Sequence, residues 1–257
     1  MRRWYDRPVM IRPSRRFARS RASALCASIA IAGFLAVPLA VGADAGLADR
    51  LAACASCHGE RGEGVRGAEY QPHLAGKPAG YLFEQLRGFR DGRRSNAQMT
   101  WLVRFLDDAY LREIADFYAA QPPRTRAADT STSPLSDRAR QRAESLVTEG
   151  DPARDVPACA ACHGTDLTGL EPGIPALVGL PAEYVVAQFG NWRNGVRRAA
   201  EPDCMASVAN ALAPEDIRIV AEWLARQSHA DGRRPAPAGS FVPPRACGSL
   251  PSAEPSP

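Results

Sequence analysis

Cys54-Ala55-Ser56-Cys57-His58-Gly59 and Cys159-Ala160-Ala161-Cys162-His163-Gly164 are the two places in this chain where residue type and spacing could do chemistry. Two cysteines three apart face the same side of a helical turn, so both sulfurs can bond one macrocycle while the adjacent imidazole sits beneath its metal. Cys-x-x-Cys-His is the attachment sequence for c-type haem: the thiols add across the vinyl groups and the histidine becomes an axial iron ligand. A zinc site would need four ligands closed around the metal, and a thioredoxin-like dithiol would need a βαβ setting that the sequence does not offer. A disulfide within each motif is the remaining alternative. The reading adopted is two covalent haem c groups, held by Cys54 and Cys57 in one site and by Cys159 and Cys162 in the other. His58 and His163 are their iron ligands.

Methionine is the candidate for the sixth iron position. Met99 lies 41 residues after His58 and Met205 lies 42 after His163, while Met1 and Met10 fall in the leader. Thioether ligation favours ferrous iron, raises the potential and closes the metal to outside ligands. The rivals lack a partner in the other motif's neighbourhood: His73 aligns with Ala176 and Cys204 with Gln98. His229, at the end of a helix, is expected to be solvated. Cys204 and Cys247 admit either a disulfide that pins the tail or two unpaired thiols.

These sites must be positioned by a duplicated scaffold. After the Cys motifs, which are offset by 105, Pro72, Leu74, Gly76, Tyr81, Gln85, Arg90 and Arg94 match Pro175, Leu177, Gly179, Tyr184, Gln188, Arg193 and Arg197 at 103. Met99, Leu106, Leu111, Ala115 and Gln121 then match Met205, Leu212, Ile217, Ala221 and Gln227 at 106. Indels of this size belong to surface loops. The expected organisation is a leader at 1–43, one module at 46–121, a Pro- and Ser/Thr-rich linker at 122–135, a second module at 136–229 and an irregular Pro-rich tail at 230–257. Leu111, Ile114, Ala115 and Tyr118, and likewise Ile217, Val220, Ala221 and Leu224, have the spacing of one buried helical face. Asp107 and Asp108 favour the start of the first helix, and Pro214, Glu215 and Asp216 the start of the second. Further helices are expected through Tyr81–Phe89, Tyr184–Trp192 and Asp137–Leu146. Period-two alternation is nowhere sustained, so the fold class is all-α, with each small module wrapped around its haem.

Composition agrees. With 257 residues, 45% of them hydrophobic and 23% charged, the chain is not a disordered tail, a collagen or a disulfide miniprotein. Aromatic residues make up only 7%, which leaves room in the core for a bulky cofactor. The first 43 residues hold eight Arg against Asp6 alone, and the rest of the chain holds 24 basic and 27 acidic residues. The body therefore has no basic tract for nucleic acid. The arginines, the apolar stretch Ile29–Val41 and the small residues around Ala43 have the build of a cleaved export signal, with an uncleaved membrane anchor as the alternative. This predicts a periplasmic protein.

The two Cys-x-x-Cys-His-Gly sites, the Pro-x-Leu-x-Gly segments Pro72–Gly76 and Pro175–Gly179, the Tyr-x-x-x-Gln helices and the two downstream methionines together resemble the dihaem cytochrome c4 family. The resemblance implies two class I cytochrome modules packed about a pseudo-twofold axis, with axial pairs His58/Met99 and His163/Met205. It also implies that the carbonyls of Pro72 and Pro175 bond the ligand imidazoles, and that Arg94 and Arg197 approach haem propionates or the module interface. The second copy departs from the pattern by three extra residues, and Cys204, between Arg197 and Met205. The function implied is one-electron transfer in a respiratory chain, with peripheral membrane association. The donor would be a quinol-cytochrome c reductase or a dehydrogenase, and the acceptor a terminal oxidase. Alternatives are the electron-accepting subunit of a periplasmic dehydrogenase and a dihaem peroxidase, which would need one open iron.

Overall fold

The computed structural model describes residues 46–66, 70–125, 134–229 and 232–250. The leader, the middle of the expected linker and the end of the tail lie outside the described residues. The first copy comprises α1 (Leu47–Arg50), α2 (Ala52–His58), the short antiparallel pair β1 (Val65–Arg66) and β2 (Tyr70–Gln71), α3 (Ala79–Arg90), α4 (Ala97–Val103) and α5 (Asp108–Ala120). The second comprises α6 (Asp137–Thr148), a 3-10 turn at Pro152–Arg154, α7 (Cys159–His163), α8 (Ala182–Arg193), α9 (Cys204–Ala211) and α10 (Pro214–Ala225). The order α2, α3, α4, α5 thus returns as α7, α8, α9, α10. The molecule is helical as expected, and β1–β2 is a minor hairpin.

Helix starts follow the local chemistry. The Asp107 carboxylate accepts from the Tyr110 N–H at 2.8 Å to open α5, the Ser136 hydroxyl caps α6, and Pro214 stands in the first turn of α10, followed by Glu215 and Asp216. Each copy buries its own apolar cluster. Leu111, Ile114, Ala115 and Tyr118 of α5 close on Leu82, Phe83 and Phe89 of α3. Ile217, Val220, Ala221 and Leu224 of α10 close on Leu146 and Val147 of α6 and on Val185 and Phe189 of α8.

The copies meet through reciprocal contacts. Arg94 and Arg197 form an antiparallel bridge, flanked by Ser95 N–H to the Val196 carbonyl at 3.0 Å and Arg198 N–H to the Arg93 carbonyl at 2.7 Å. Arg94 donates to Gln85 Oε1 at 2.9 Å and to Gln188 Oε1 at 3.1 Å; Arg197 donates to the same two oxygens at 2.9 and 2.8 Å. A contact in which each residue meets its own counterpart is the signature of twofold symmetry, here between repeats of one chain. Arg94 and Arg197 are interface residues.

The tail from 232 to 250 has no helix or strand, yet it is fastened down. Ala236 exchanges backbone bonds with Gly169 and Glu171, both at 2.9 Å. Arg234 donates to the carbonyls of Ala119, Ala120 and Gln121 at 3.1, 3.3 and 3.4 Å. Cys247 is joined to Cys204 by a disulfide, which decides between the two states the sequence allowed. Among the described residues no helix is long and apolar enough to cross a membrane.

Candidate functional site

Both Cys motifs end on a glycine that the backbone requires. Gly59 has φ +83° and ψ 155°, and Gly164 has φ +84° and ψ 153°, a region closed to side-chain-bearing residues. The chain turns sharply there and returns beneath the histidine. Gly64 N–H bonds the His58 carbonyl at 2.7 Å and Leu74 N–H the Gly62 carbonyl at 2.7 Å. Gly169 N–H to the His163 carbonyl (2.8 Å) and Leu177 N–H to the Leu167 carbonyl (2.9 Å) repeat the arrangement. The result is that the Pro72 carbonyl lies 2.7 Å from His58 Nδ1 and the Pro175 carbonyl 2.8 Å from His163 Nδ1. A carbonyl only accepts, so Nδ1 carries the proton and Nε2 presents its lone pair to a metal. Both rings are buried. Burial pushes their pKa values below the ordinary imidazole value, against the upward pull of the carbonyl bonds, which leaves neutral rings suited to ligation.

Cys54, Cys57, Cys159 and Cys162 are free thiols, so neither motif closes into a disulfide. Burial raises Cys54 and Cys162 and pushes Cys159 up to about 11. Thiols of that kind lack the depressed pKa of a reactive redox pair. Among the described residues no three His, Cys, Asp or Glu side chains gather as a metal-binding set, so a closed zinc site has no ligands.

Both methionines lie in the first turn of a helix, Met99 third in α4 and Met205 second in α9. Asn96 accepts from Met99 N–H at 3.0 Å to start α4. Asp203 accepts from Ala206 N–H at 3.0 Å and from Ala199 N–H at 2.6 Å, so it starts α9 and folds the preceding loop. Met205 lines one cavity with Cys159, Cys162 and His163. Met99 packs against the first apolar cluster, as does Cys54. The rivals have other partners. His73 is buried with Nδ1 3.3 Å from the Tyr70 hydroxyl, and Cys204 is consumed by its disulfide. His229 is buried, contrary to the expectation of a solvated ring, because the tail folds over it and the Arg233 carbonyl lies 3.0 Å from its Nε2.

The cavity suits haem c on its own terms. It offers two thiols, a neutral imidazole and a thioether, and its wall carries Trp192 Nε1, a buried donor without a partner. Lys77, Arg94 and Arg197 line the same wall, and among the described residues no carboxylate pairs with any of them. An orphaned N–H and three cations are what the propionates of a bound haem would meet. Against the upward push of burial, Arg197, Arg94 and Lys77 bring the Tyr81 phenol down to about 8. Lys77, Tyr81 and Trp192 had not been singled out as site residues. The available signal was a lysine at the repeat position of Leu180, inside an otherwise matched segment.

Fold and sites together define a two-haem c-type cytochrome. The cytochrome c family model matches residues 47–123. A thiosulfate dehydrogenase electron acceptor from Thiomonas intermedia is 38% identical over 176 residues, covering 68% of this chain and 79% of that protein. Cytochrome c4 of Pseudomonas aeruginosa is 32% identical over 177 residues, covering 68% and 84%. The crystal structure of reduced cytochrome c4 from Pseudomonas stutzeri superimposes with a TM-score of 0.58 at 28% identity, covering 70% of this chain and 95% of that one. The chain belongs to the dihaem cytochrome c4 family. It is an electron-carrying protein with two covalent haem c groups.

Proposed function

We propose that His58 with Met99, and His163 with Met205, close both irons, and that the protein is exported to the periplasm through its leader. There it relays single electrons from a dehydrogenase or a quinol-oxidising complex toward a terminal oxidase. The observation that carries this reading is the placing of Met205 on the wall that Cys159, Cys162 and His163 share, with Met99 in the equivalent helical turn of the other copy.

Bound haem supplies a one-electron ferric/ferrous couple. The chain does the rest. Cys54, Cys57, Cys159 and Cys162 would hold the cofactors covalently against loss outside the cell, the Pro72 and Pro175 carbonyls orient the imidazoles, and Met99 and Met205 would exclude exogenous ligands. Irons held in this way would exchange electrons and leave no coordination position for a substrate.

A second reading is favoured by the relative from Thiomonas intermedia: the donor is a thiosulfate dehydrogenase, with which this chain forms a lasting complex. A spectrum of the matured protein tests the ligand scheme. Two haems per chain and a weak far-red ferric band of sulfur-to-iron charge transfer are expected, and rapid binding of carbon monoxide at either iron would overturn it. Affinity capture from periplasm separates the partner readings: a stoichiometric dehydrogenase favours the subunit, and transient partners alone favour the free carrier.

A further inference from the structure

The repeat that relates the two copies is broken at two positions on the wall of the second cavity. Lys77 occupies the place of Leu180, and Trp192 that of Phe89. Lys77 belongs to the first copy, at the turn before α3, yet it lines the cavity of Cys159, Cys162, His163 and Met205. It is only 8% exposed. Burial pushes the Lys77 ammonium down, and the Tyr81 phenol is the one group that opposes this, because its other charged neighbours are Arg197 and Arg94. A lysine so enclosed among cations calls for an anion. Trp192, with Arg197 stacked 4.0 Å over its ring, adds an unused N–H donor to the same wall.

We infer that Lys77, aided by Trp192, is a positioning residue for the carboxylate edge of the second haem and raises that haem's reduction potential. A fixed positive charge stabilises the ferrous state, which carries one unit less positive charge than the ferric. At an effective dielectric of ~20, a unit charge ~12 Å from a redox centre changes its equilibrium about tenfold. That corresponds to ~59 mV for one electron. Since the second copy carries Leu180 where the first carries Lys77, the effect is one-sided and favours the electron on the second haem. The inference holds whichever donor supplies it, because it needs only the two bound haems.

The test is a spectroelectrochemical titration of the intact two-haem protein, with haem signals assigned by paramagnetic NMR. Lys77→Leu and Lys77→Gln should lower the second midpoint so that the equilibrium constant for electron sharing between the haems falls about tenfold, while the first midpoint stays put. Lys77→Arg should restore the separation. Trp192→Phe, which installs the first copy's own residue, should narrow it by a smaller factor. Equal shifts at both haems, or unchanged midpoints in Lys77→Gln with both haems in place, would overturn the inference. Should Lys77→Leu fail to mature, the Gln and Arg variants decide alone. Loss of the far-red band is not expected in any of them, and its loss would point instead to the ligand scheme.

Discussion

The loops that deliver the two methionines begin at equivalent arginines and end in equivalent helical turns, but they are held by different means. Met99 follows Arg94 by five residues and Met205 follows Arg197 by eight. The short loop needs one exposed cap, Asn96. The long one has the buried Asp203 carboxylate bonding both its ends, and the Cys204–Cys247 disulfide joining it to the tail. A longer loop costs more entropy to order, and the second copy offsets that with a crosslink. The copies differ in the same spirit farther on. Where α5 has Tyr110, covered by the Arg50 guanidinium at 4.9 Å from its ring, α10 has Asp216, gripped by Arg142 at 3.0 Å and Arg154 at 2.9 Å. Duplication preserved the His–carbonyl bonds and the helical turns that hold the methionines, and left each copy to stabilise them separately.

Four experiments would break or sharpen that contrast. Opening an iron should have the largest effect: Met99→Ala or Met205→Ala is expected to remove half of the far-red band and admit carbon monoxide at one haem. An unaltered band in either variant would remove that methionine from the ligand set. Next comes the crosslink. Cys247→Ser should cost about 4 kcal/mol by the chain-entropy account of a loop of this length, and calorimetry should assign the loss to the second copy alone. Asp216→Asn should cost about 2 kcal/mol, again in the second copy, by removing charge-assisted bonds from Arg142 and Arg154. This effect also has a pH signature. Bonds from Arg142, with burial opposing, hold the Asp216 pKa below the usual carboxylate range. Its contribution is therefore complete above about pH 4, near the unfolded value, and is lost as pH falls through the folded one. Acid titrations of wild type and variant should converge there, and parallel curves would exclude the ion pair as the cause. Smallest is Asn96→Ala, expected to cost about 1 kcal/mol and only in the first copy. Hydrogen exchange at Met99 N–H reads it directly.

Much of this was legible in the sequence because it is local or repeated. Cys-x-x-Cys-His has meaning within a single turn, the methionines are picked out by the repeat, and the buried faces of α5 and α10 follow a period of 3.6. The acids at the starts of those helices were equally plain. What escaped depends on long-range closure. The approach of Cys247 to Cys204 is set by the path of a Pro-rich tail with no period of its own. His229 looked solvated because its cover comes from that tail. Lys77 reads as a surface lysine until α3 and α8 are brought together, and only then does it turn toward the other copy's cavity. The sharing of Gln85 and Gln188 by both arginines is invisible to spacing for the same reason.

The hold of Arg234 on the last carbonyls of α5 bears on the order in which the molecule is completed. A helix leaves its final carbonyls without internal partners, and a cation there also meets the negative end of the dipole. For the first copy, that stopper comes from chain synthesised only after the second copy. A truncated product ending before Arg234 would have every residue of the first copy and still leave its closing helix uncorked.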